Sequence, residues 1–167
     1  MRPAISLFLL LLPLAASAAD DKTVDVKRKQ VNAVLDDWHK AAAEANEGRY
    51  FGHFAADAVF FGTDATERWT RDEFRKWAHP HFEKGKGWSF KATKRNIFLS
   101  KDGATAWFDE ELDTPNLGPA RGTGVLVLED KEWKVAQYNL SVPIPNEIFD
   151  KVKKQIEEQL KAKKPEK

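Results

Sequence analysis

Asp109 is the carboxylate of this sequence with the clearest chemical potential, because it follows Trp107 by two residues in a predicted strand. Side chains two residues apart in a strand share one face of the sheet. A carboxylate held beside an indole and away from water has a raised pKa and can serve as a general base or acid. If Phe108 faces inward instead, Asp109 lies on a solvated or partner-facing acidic edge. The sequence leaves both orientations open.

Two amides, Gln137 and Asn139, have the same spacing in the last predicted strand. Strand alternation groups them with Trp133 and Val135, which favour burial, so we expect the amides to point into the interior. There they would orient a ligand by hydrogen bonds, or satisfy one another and buried water. An amide does not exchange protons near neutral pH as an imidazole does.

Tryptophan is unusually abundant, with six residues in the chain and five of them between positions 69 and 133. Indole rings supply large apolar surfaces, and a buried indole N–H needs a partner. This concentration predicts a core built around a partly polar, aromatic-lined cavity. The predicted ligand-binding residues are Trp38, His53, Phe61, Trp69, Trp77, Trp107, Arg121, Gln137 and Asn139, with Asp109 as the candidate catalytic residue.

Several charged residues near predicted strand ends have two interpretations each. Asp64 either closes a turn with its own side chain or lies with Trp69 at the cavity mouth, and we favour the turn. Glu67 pairs most simply with a neighbouring arginine. Arg121 either reaches an anionic ligand at the rim or pairs with Asp109 or Asp113 across the hairpin, and a pair with Asp109 would keep that carboxylate charged.

The histidines form no convincing metal-binding pattern. His79 and His81 flank Pro80, but no third ligand stands at a suitable spacing. The sequence has no cysteine, which excludes disulfides, thiol catalysis and thiolate metal sites. We therefore predict no metal and no cofactor, with His53 or His81 more suited to lining a cavity.

The first 18 residues have the pattern of a secretory signal. Arg2 supplies a positive start, residues 5–14 are apolar, and residues 16–18 read Ala-Ser-Ala, a small-residue cleavage site. The apolar stretch is too short for a membrane span. We expect a periplasmic or secreted protein with no stable membrane anchor after cleavage.

The mature chain would carry 26 basic and 26 acidic residues, since Arg2 is the one charged residue of the predicted signal. No strong field would then attract nucleic acid or an anionic membrane. About 150 residues suit one domain with a sizeable core. We divide the chain into the signal at 1–18, a polar, frayed lead-in at 19–30, one domain at 31–146, and a C-terminal amphipathic helix and tail at 147–167.

The apolar spacing after Val31 predicts a long helix that ends at Gly48, followed by a short helix around Tyr50. Thr70 and Glu73 form a capping box that begins a third helix, which Pro80 bends or ends. Long strands follow, with a bulge expected at 94–96. Further elements are a first strand at 59–61, a turn at Asp102-Gly103, hairpin strands at 121–128 and 132–142, and a last helix capped by Asn146.

This order predicts an α+β fold, in which a curved antiparallel sheet carries three N-terminal helices on its concave face and one helix follows. Gly122 and Gly124 lie inside a strand, where we interpret them as an allowance for close packing or a bulge. The sequence contains no phosphate-binding glycine loop, dinucleotide motif or Ser-His-Asp arrangement.

Four strings make the chain similar to the SnoaL-like branch of the nuclear transport factor 2-like superfamily, over about 31–146. They are Gly62–Trp69, Ala106–Glu110, Trp133–Val135 and Ser141–Pro143. The resemblance implies a cone-shaped fold with a cavity at its open end and homodimers formed through the outer sheet face. Similar proteins often carry histidines on the last strand, where this chain has Gln137 and Asn139.

That superfamily includes cyclases, isomerases, dehydratases, epoxide hydrolases and non-catalytic domains, so the fold leaves function open. Our first hypothesis is a protein that binds a small, largely apolar ligand in a Trp-lined cavity, with no chemistry assigned. The second is an isomerase, cyclase or dehydratase with Asp109 as general base and Tyr138, His53 or Gln137 stabilising an enolate-like oxygen. The third is a dimerisation or assembly module whose cavity is filled by its own side chains.

Overall fold

The computed structural model describes residues 15–162, with side chains from residue 21 onward, so most of the predicted signal lies outside the described residues. Four helices, one short 3₁₀ turn and six strands follow one another. The elements are α1 (Ala15–Ala43), α2 (Glu47–Gly52), β1 (Phe54–Phe61), β2 (Arg68–Thr70), α3 (Arg71–Glu83), β3 (Lys91–Leu99), β4 (Thr105–Thr114), β5 (Gly118–Glu129), β6 (Glu132–Ser141), the 3₁₀ turn (Asn146–Ile148) and α4 (Phe149–Ala162).

The six strands form one curved sheet in the order β2-β1-β6-β5-β4-β3. Neighbours are antiparallel except β1 and β6, which run parallel, so the expectation of a purely antiparallel sheet was wrong at this pair. Helices α1, α2 and α3 pack on the concave face and bury a core that includes Leu35, Tyr50 and Phe74. The α+β architecture predicted from the sequence is confirmed.

The first helix is longer at its start and shorter at its end than the sequence pattern predicted. Residues 19–30, expected to be a frayed lead-in, are helical, because a charged helix can stand in water when its turns carry pairs such as Asp25 and Arg28. The helix ends at Ala43 rather than before Gly48, which lies inside α2. Ala45, with φ of 52°, makes the left-handed turn instead.

Local capping and turn chemistry was predicted correctly. The Thr70 side chain accepts a hydrogen bond from the Glu73 backbone, and Glu73 bonds back to the Thr70 N–H, which completes the capping box of α3. Pro80 does not end α3, which continues to Glu83. The bulge of β3 lies between Ala92 and Lys94, at the edge of the expected range, and Gly103 turns the following hairpin with φ of 65°.

Helix α4 stands apart from the domain core. Its apolar residues lie at helical spacing, and Phe149, Ile156 and Leu160 are each about half exposed. Asn146 belongs to the 3₁₀ turn that precedes α4 and does not cap the helix directly. The domain that positions a site therefore ends with β6.

Candidate functional site

A cavity of about 260 Å³ opens at one end of the sheet, where β1, β4 and β6 end against α3. Its walls are mainly aromatic, with a few polar groups at the rim. The lining residues are Phe60, Gly62, Thr63, Glu67, Trp69, Phe74, Trp77, Trp88, Ser89, Phe90, Thr114, Pro115, Asn116, Leu117 and Leu140. The volume is below the about 300–1,000 Å³ typical of drug-sized ligands, and above the about 150 Å³ that holds benzene.

Three indoles from separate elements meet in this cavity: Trp69 from β2, Trp77 from α3 and Trp88 from the segment before β3. The ring centroids of Trp69 and Trp77 are 5.3 Å apart, and those of Trp77 and Trp88 are 6.3 Å apart. Phe74, one helical turn before Trp77, lies 5.4 Å from Trp69 and nearly parallel to it. The capping box fixes where α3 begins and so directs both α3 rings toward β2.

Glu67 is the charged residue among the cavity-lining side chains. Its Oε2 atom accepts a hydrogen bond from the Asp64 backbone N–H at 3.1 Å. Gly62 leaves room for the Glu67 carboxylate, which an added Cβ would displace. The same turn contains the Asx-type bond from the Thr66 N–H to Asp64 Oδ1, as expected for Asp64.

A second polar group, deeper in the domain, centres on Glu110, which is 1% exposed. Its Oε1 atom lies 2.8 Å from His39 Nε2 and accepts a hydrogen bond from the Tyr138 hydroxyl at 3.0 Å. Its Oε2 atom accepts from Arg95 Nε at 2.8 Å. Arg95 also donates to Asp36 Oδ1 at 2.7 Å, so its guanidinium joins α1 to the buried carboxylate.

The pKa values in this network follow from burial and charge. Burial would raise the pKa of Glu110, but the hydrogen bond and charge of His39, together with those of Arg95, outweigh it and lower that pKa. Burial raises the pKa of Tyr138, and the nearby Glu110 charge raises it further. Glu110 is therefore an ionised carboxylate paired within this network and not a carboxylic acid held ready to donate a proton.

Gly122 lies against this network, which supports the close-packing interpretation of the strand glycines. A Cβ added there would lie 2.7 Å from Glu110 Oε1 and would also clash with the Tyr138 hydroxyl. A Cβ at Gly124 would lie 2.8 Å from the Phe108 ring. Both glycines let side chains of neighbouring strands cross β5.

Of the predicted ligand-binding residues, the structure brings Trp69 and Trp77 together in the cavity. Trp107, a predicted ligand-binding residue, and Asp109, the candidate catalytic residue, lie on the outer face of β4 and not at the cavity, which is the second of the two orientations left open. Trp107 is 47% exposed on the outer side, where it stacks on Phe98, and Asp109 accepts a hydrogen bond from Asn96 at 2.8 Å. The inward positions are taken by Phe108 and Glu110, because Glu110 finds buried partners there.

The amides of β6 were assigned to the wrong face. Val125 of β5 pairs with Gln137, whereas the next residue, Leu126, pairs with Val135, so β6 contains one extra residue at Ala136. One extra residue exchanges the two faces of a strand. Tyr138 therefore points inward, while Gln137 is exposed and Asn139 lies partly buried in a shallow groove beside β1.

The remaining predicted site residues also lie outside the cavity. Trp38 is 1% exposed in the core, against Tyr50 and Tyr138. His53 Nε2 lies 2.8 Å from Asp37 Oδ2. Arg121 is exposed near the start of β5. Phe61 lines the groove that contains Asn139, with the Arg68 guanidinium 5.7 Å from its ring centre.

Sequence reasoning missed much of the actual lining. Trp88, Phe60 and Phe74 were not among the predicted ligand-binding residues, and Glu67 was expected only to pair with a neighbouring arginine. Trp69 is brought opposite Phe60 by β2, a three-residue strand that the sequence pattern did not predict. The capping box was the available signal, since it places Phe74 and Trp77 in the first turns of a helix directly after Trp69.

Within residues 15–162 no group of three metal-ligating side chains is close enough to hold a metal ion. No helix in the same range is both long and apolar enough to span a bilayer.

A family profile described as "SnoaL-like domain" matches residues 31–145. A comparison with curated protein sequences gives no match. Among solved structures, a nuclear transport factor 2-like protein of unknown function from Pseudomonas putida KT2440 has 14% identity and a TM-score of 0.61, covering 71% of this chain and 88% of that one.

A candidate dehydratase of the nuclear transport factor 2-like family from Streptomyces avermitilis has 14% identity and a TM-score of 0.63, covering 72% of this chain and 99% of that one. A candidate calcium/calmodulin-dependent protein kinase II association domain from Xanthomonas campestris has 23% identity and a TM-score of 0.52, covering 70% and 86%. These likenesses show a shared fold.

Proposed function

Since this chain belongs to the SnoaL-like domain family, we propose that it binds a small, largely apolar ligand in the cavity lined by Trp69, Trp77 and Trp88. The observation that carries the proposal is the meeting of three indoles around about 260 Å³ of open space. A core built only for stability would be filled at this point, since protein interiors pack to crystal-like density.

The exposure of Trp77 supports the same function. Its side chain is 46% exposed at the mouth, next to Leu117, which is 37% exposed. Solvent-facing apolar surface that adjoins a cavity is typical of a binding site. A bound apolar molecule would cover both residues and gain about 25 cal/mol for each Å² removed from water.

Binding fits the geometry better than acid–base catalysis. Asp109, the candidate general base, lies on the opposite face of the sheet from the cavity and contacts Asn96. Glu110 is inside but is fully engaged by His39, Tyr138 and Arg95. General acid–base catalysis needs a group within hydrogen-bonding reach of the reacting atom, and neither Asp109 nor Glu110 lines the cavity. Glu67 does line it, but lies at the rim with Oε2 bonded to the Asp64 N–H. The open cavity also weighs against an assembly module with a filled interior.

Two tryptophans of nearly equal exposure provide a matched test. Trp77 is 46% exposed in the cavity, and Trp107 is 47% exposed on the outer sheet face. We expect Trp77→Ala to weaken binding of phenol- to naphthol-sized compounds about five- to tenfold, because an aromatic contact is lost. Trp107→Ala should change that affinity less than about twofold. Isothermal titration calorimetry measures both.

Equal losses in the two variants would place the binding site elsewhere and overturn the proposal. Complete absence of binding by the unaltered protein, across small aromatic compounds, would do the same. Melting temperatures of both variants control for unfolding, since each removes a half-exposed ring.

We further propose that the protein is exported by its N-terminal segment, on the evidence of Arg2, the apolar run at 5–14 and the Ala-Ser-Ala site at 16–18. N-terminal sequencing of protein recovered from the periplasm or medium should begin near Ala19. Recovery of a chain that retains residues 1–18 would contradict cleavage.

The outer sheet face is proposed as a homodimer surface. Trp107 and Phe98, which is 44% exposed, stack there with their centroids 5.8 Å apart. Exposed aromatic pairs of this kind are enriched at interface centres. Sedimentation velocity should show a dimer that Trp107→Glu converts to monomer, and a monomeric unaltered protein would contradict this.

A further inference from the structure

The lining of the cavity carries a negative charge that a purely apolar ligand could not compensate. Of the cavity-lining residues, Glu67 alone is charged, and it is negative. A neutral apolar ligand would cover this carboxylate without compensating it, which is costly. On the basis of the proposed function, we propose that the ligand carries a quaternary ammonium or similar alkylated ammonium group, held by the indole faces and by Glu67.

The Glu67 carboxylate has no ion-pair partner among the described residues. The adjacent Arg68 lies over the Phe61 ring instead, 5.7 Å from its centre, and Arg71 pairs with Asp72 at 3.0 Å. Oε2 of Glu67 is used by the Asp64 N–H, which fixes the side chain and leaves Oε1 for a ligand. The carboxylate is thus held in place at the rim while its charge stays uncompensated.

The aromatic wall suits a cation as well as an apolar body. A tryptophan face attracts a cation within about 6 Å of the ring centre, and indole does so more strongly than the other aromatic side chains. Trp69, Trp77 and Trp88 lie within 6.3 Å of their neighbours in this series, so one guest can contact several rings. Methylated ammonium groups combine an apolar surface with a diffuse positive charge, which matches both features of the cavity.

The volume of the cavity limits the ligand to a compact cation. About 260 Å³ accommodates a trimethylammonium group with a short chain or a single ring attached, but is smaller than the pockets that hold drug-sized molecules. Ser89 and Asn116, which are exposed at the lining, can hydrogen-bond a polar end of such a molecule.

An isosteric pair of probes separates charge from shape. Phenyltrimethylammonium and tert-butylbenzene have the same outline and differ in one atom, a positively charged nitrogen or a neutral carbon. We expect the cation to bind about tenfold more tightly in calorimetric or fluorescence titrations at low ionic strength.

The carboxylate is tested by Glu67→Gln, with Glu111→Gln as the matched control on the exposed outer face of β4, where Glu111 is 66% exposed. Glu67→Gln should weaken phenyltrimethylammonium about two- to fivefold and leave tert-butylbenzene unchanged. Glu111→Gln should alter neither affinity.

The outcomes distinguish this inference from the proposed function. If tert-butylbenzene binds as tightly as the cation, or Glu67→Gln has no effect on the cation, the ammonium inference is overturned while the apolar cavity function stands. If naphthol binds and neither isostere does, the inference also fails alone. If none of these compounds binds, both fail.

Discussion

Two glutamates on the inner side of this domain, Glu110 and Glu67, have opposite surroundings. Glu110 is 1% exposed, and both of its oxygens are engaged by side chains from α1, β3 and β6. Glu67 lies at the cavity rim and accepts one backbone hydrogen bond. In the densely packed interior, the charge of Glu110 is fully compensated. At the open cavity rim, the charge of Glu67 remains available to a ligand.

The difference arises from what surrounds each carboxylate. Near Glu110, Gly122 has no side chain, so Tyr138 can approach the carboxylate. Helix α1 supplies His39, which is 71 residues from Glu110 in the sequence. Around Glu67, a short turn supplies the Asp64 N–H and β2 supplies the Trp69 indole, while Arg68 of the same strand lies over the Phe61 ring. A buried charge without partners would be prohibitively costly, whereas an exposed one is tolerated and free to bind.

The largest expected effect is the removal of the buried charge by Glu110→Gln. We expect a loss of about 3–5 kcal/mol in the free energy of unfolding, because Arg95 and His39 would lose the carboxylate that compensates them. Urea unfolding measures this loss, with Glu111→Gln as a control that should stay within about 0.5 kcal/mol. Equal stabilities for the two variants would mean that the buried Glu110 carboxylate does not stabilise the fold.

Overpacking the same region is the next test. Gly122→Ala should destabilise the protein by about 1–3 kcal/mol, since the new methyl group would press on Glu110 and Tyr138. Gly48→Ala is the control, because no atom lies within 4 Å of a Cβ added there. A Gly122→Ala protein as stable as Gly48→Ala would show that the network is loosely packed.

Acid should reduce the difference between the native protein and Glu110→Gln. The folded pKa of Glu110 lies below its ordinary value of 4.5, so the ionised form stabilises the fold above about pH 4.5 and this contribution is lost as pH falls through the lowered pKa. Unfolding free energies measured from pH 7 down to pH 3 should therefore converge for the two proteins. A constant gap over that range would mean that Glu110 does not carry the lowered pKa.

Other carboxylates add to acid sensitivity in the unaltered protein. The hydrogen bond from Arg49 lowers the pKa of Asp37 below 3.8 despite the opposing effect of burial, and His79 and Arg75 lower that of Glu47. The contributions of Asp37 and Glu47 remain in the Glu110→Gln variant. The unfolding free energy of this variant should therefore still decline as the pH falls, but less steeply than that of the unaltered protein.

The smallest expected effect on stability is that of Glu67→Gln. Its carboxylate has one backbone hydrogen bond and no ion pair among the described residues, so the unfolding free energy should change by less than about 0.5 kcal/mol. The same chemical substitution would thus cost severalfold less at the rim than at Glu110. A loss above about 2 kcal/mol would mean that Glu67 is a structural residue.

Features governed by local chemistry were predictable from the sequence. The capping box at Thr70, the turn at Gly103 and the bulge beside Lys94 depend on residues within a few positions of one another. Asp64 also makes its turn as expected. These interactions need no information about distant segments.

The faces of β4 and β6 depend on distant contacts. For β4 the sequence left both orientations open, and the one with Trp107 and Asp109 outside is adopted because Glu110 on the other face has partners 71 and 15 residues away that make its burial favourable. In β6 a single extra residue reverses the alternation after Val135. Neither the partners nor the bulge can be identified from strand periodicity alone.

The sequence predicted an aromatic-lined cavity but only some of the residues that line it. Trp69 and Trp77 line it as expected, whereas Glu67 enters from the turn before β2 and Trp88 from the segment between α3 and β3. A strand of three residues has too few positions for a periodic pattern.

The most direct test of the central claim is the set of indole N–H signals in an ¹H–¹⁵N NMR spectrum, because the six tryptophans divide evenly between cavity and non-cavity positions. On titration with phenyltrimethylammonium or naphthol, we expect the signals of Trp69, Trp77 and Trp88 to shift. Those of Trp38, Trp107 and Trp133 should stay in place. Shifts confined to the second group, or no shifts at all, would contradict a ligand-binding cavity at this end of the sheet.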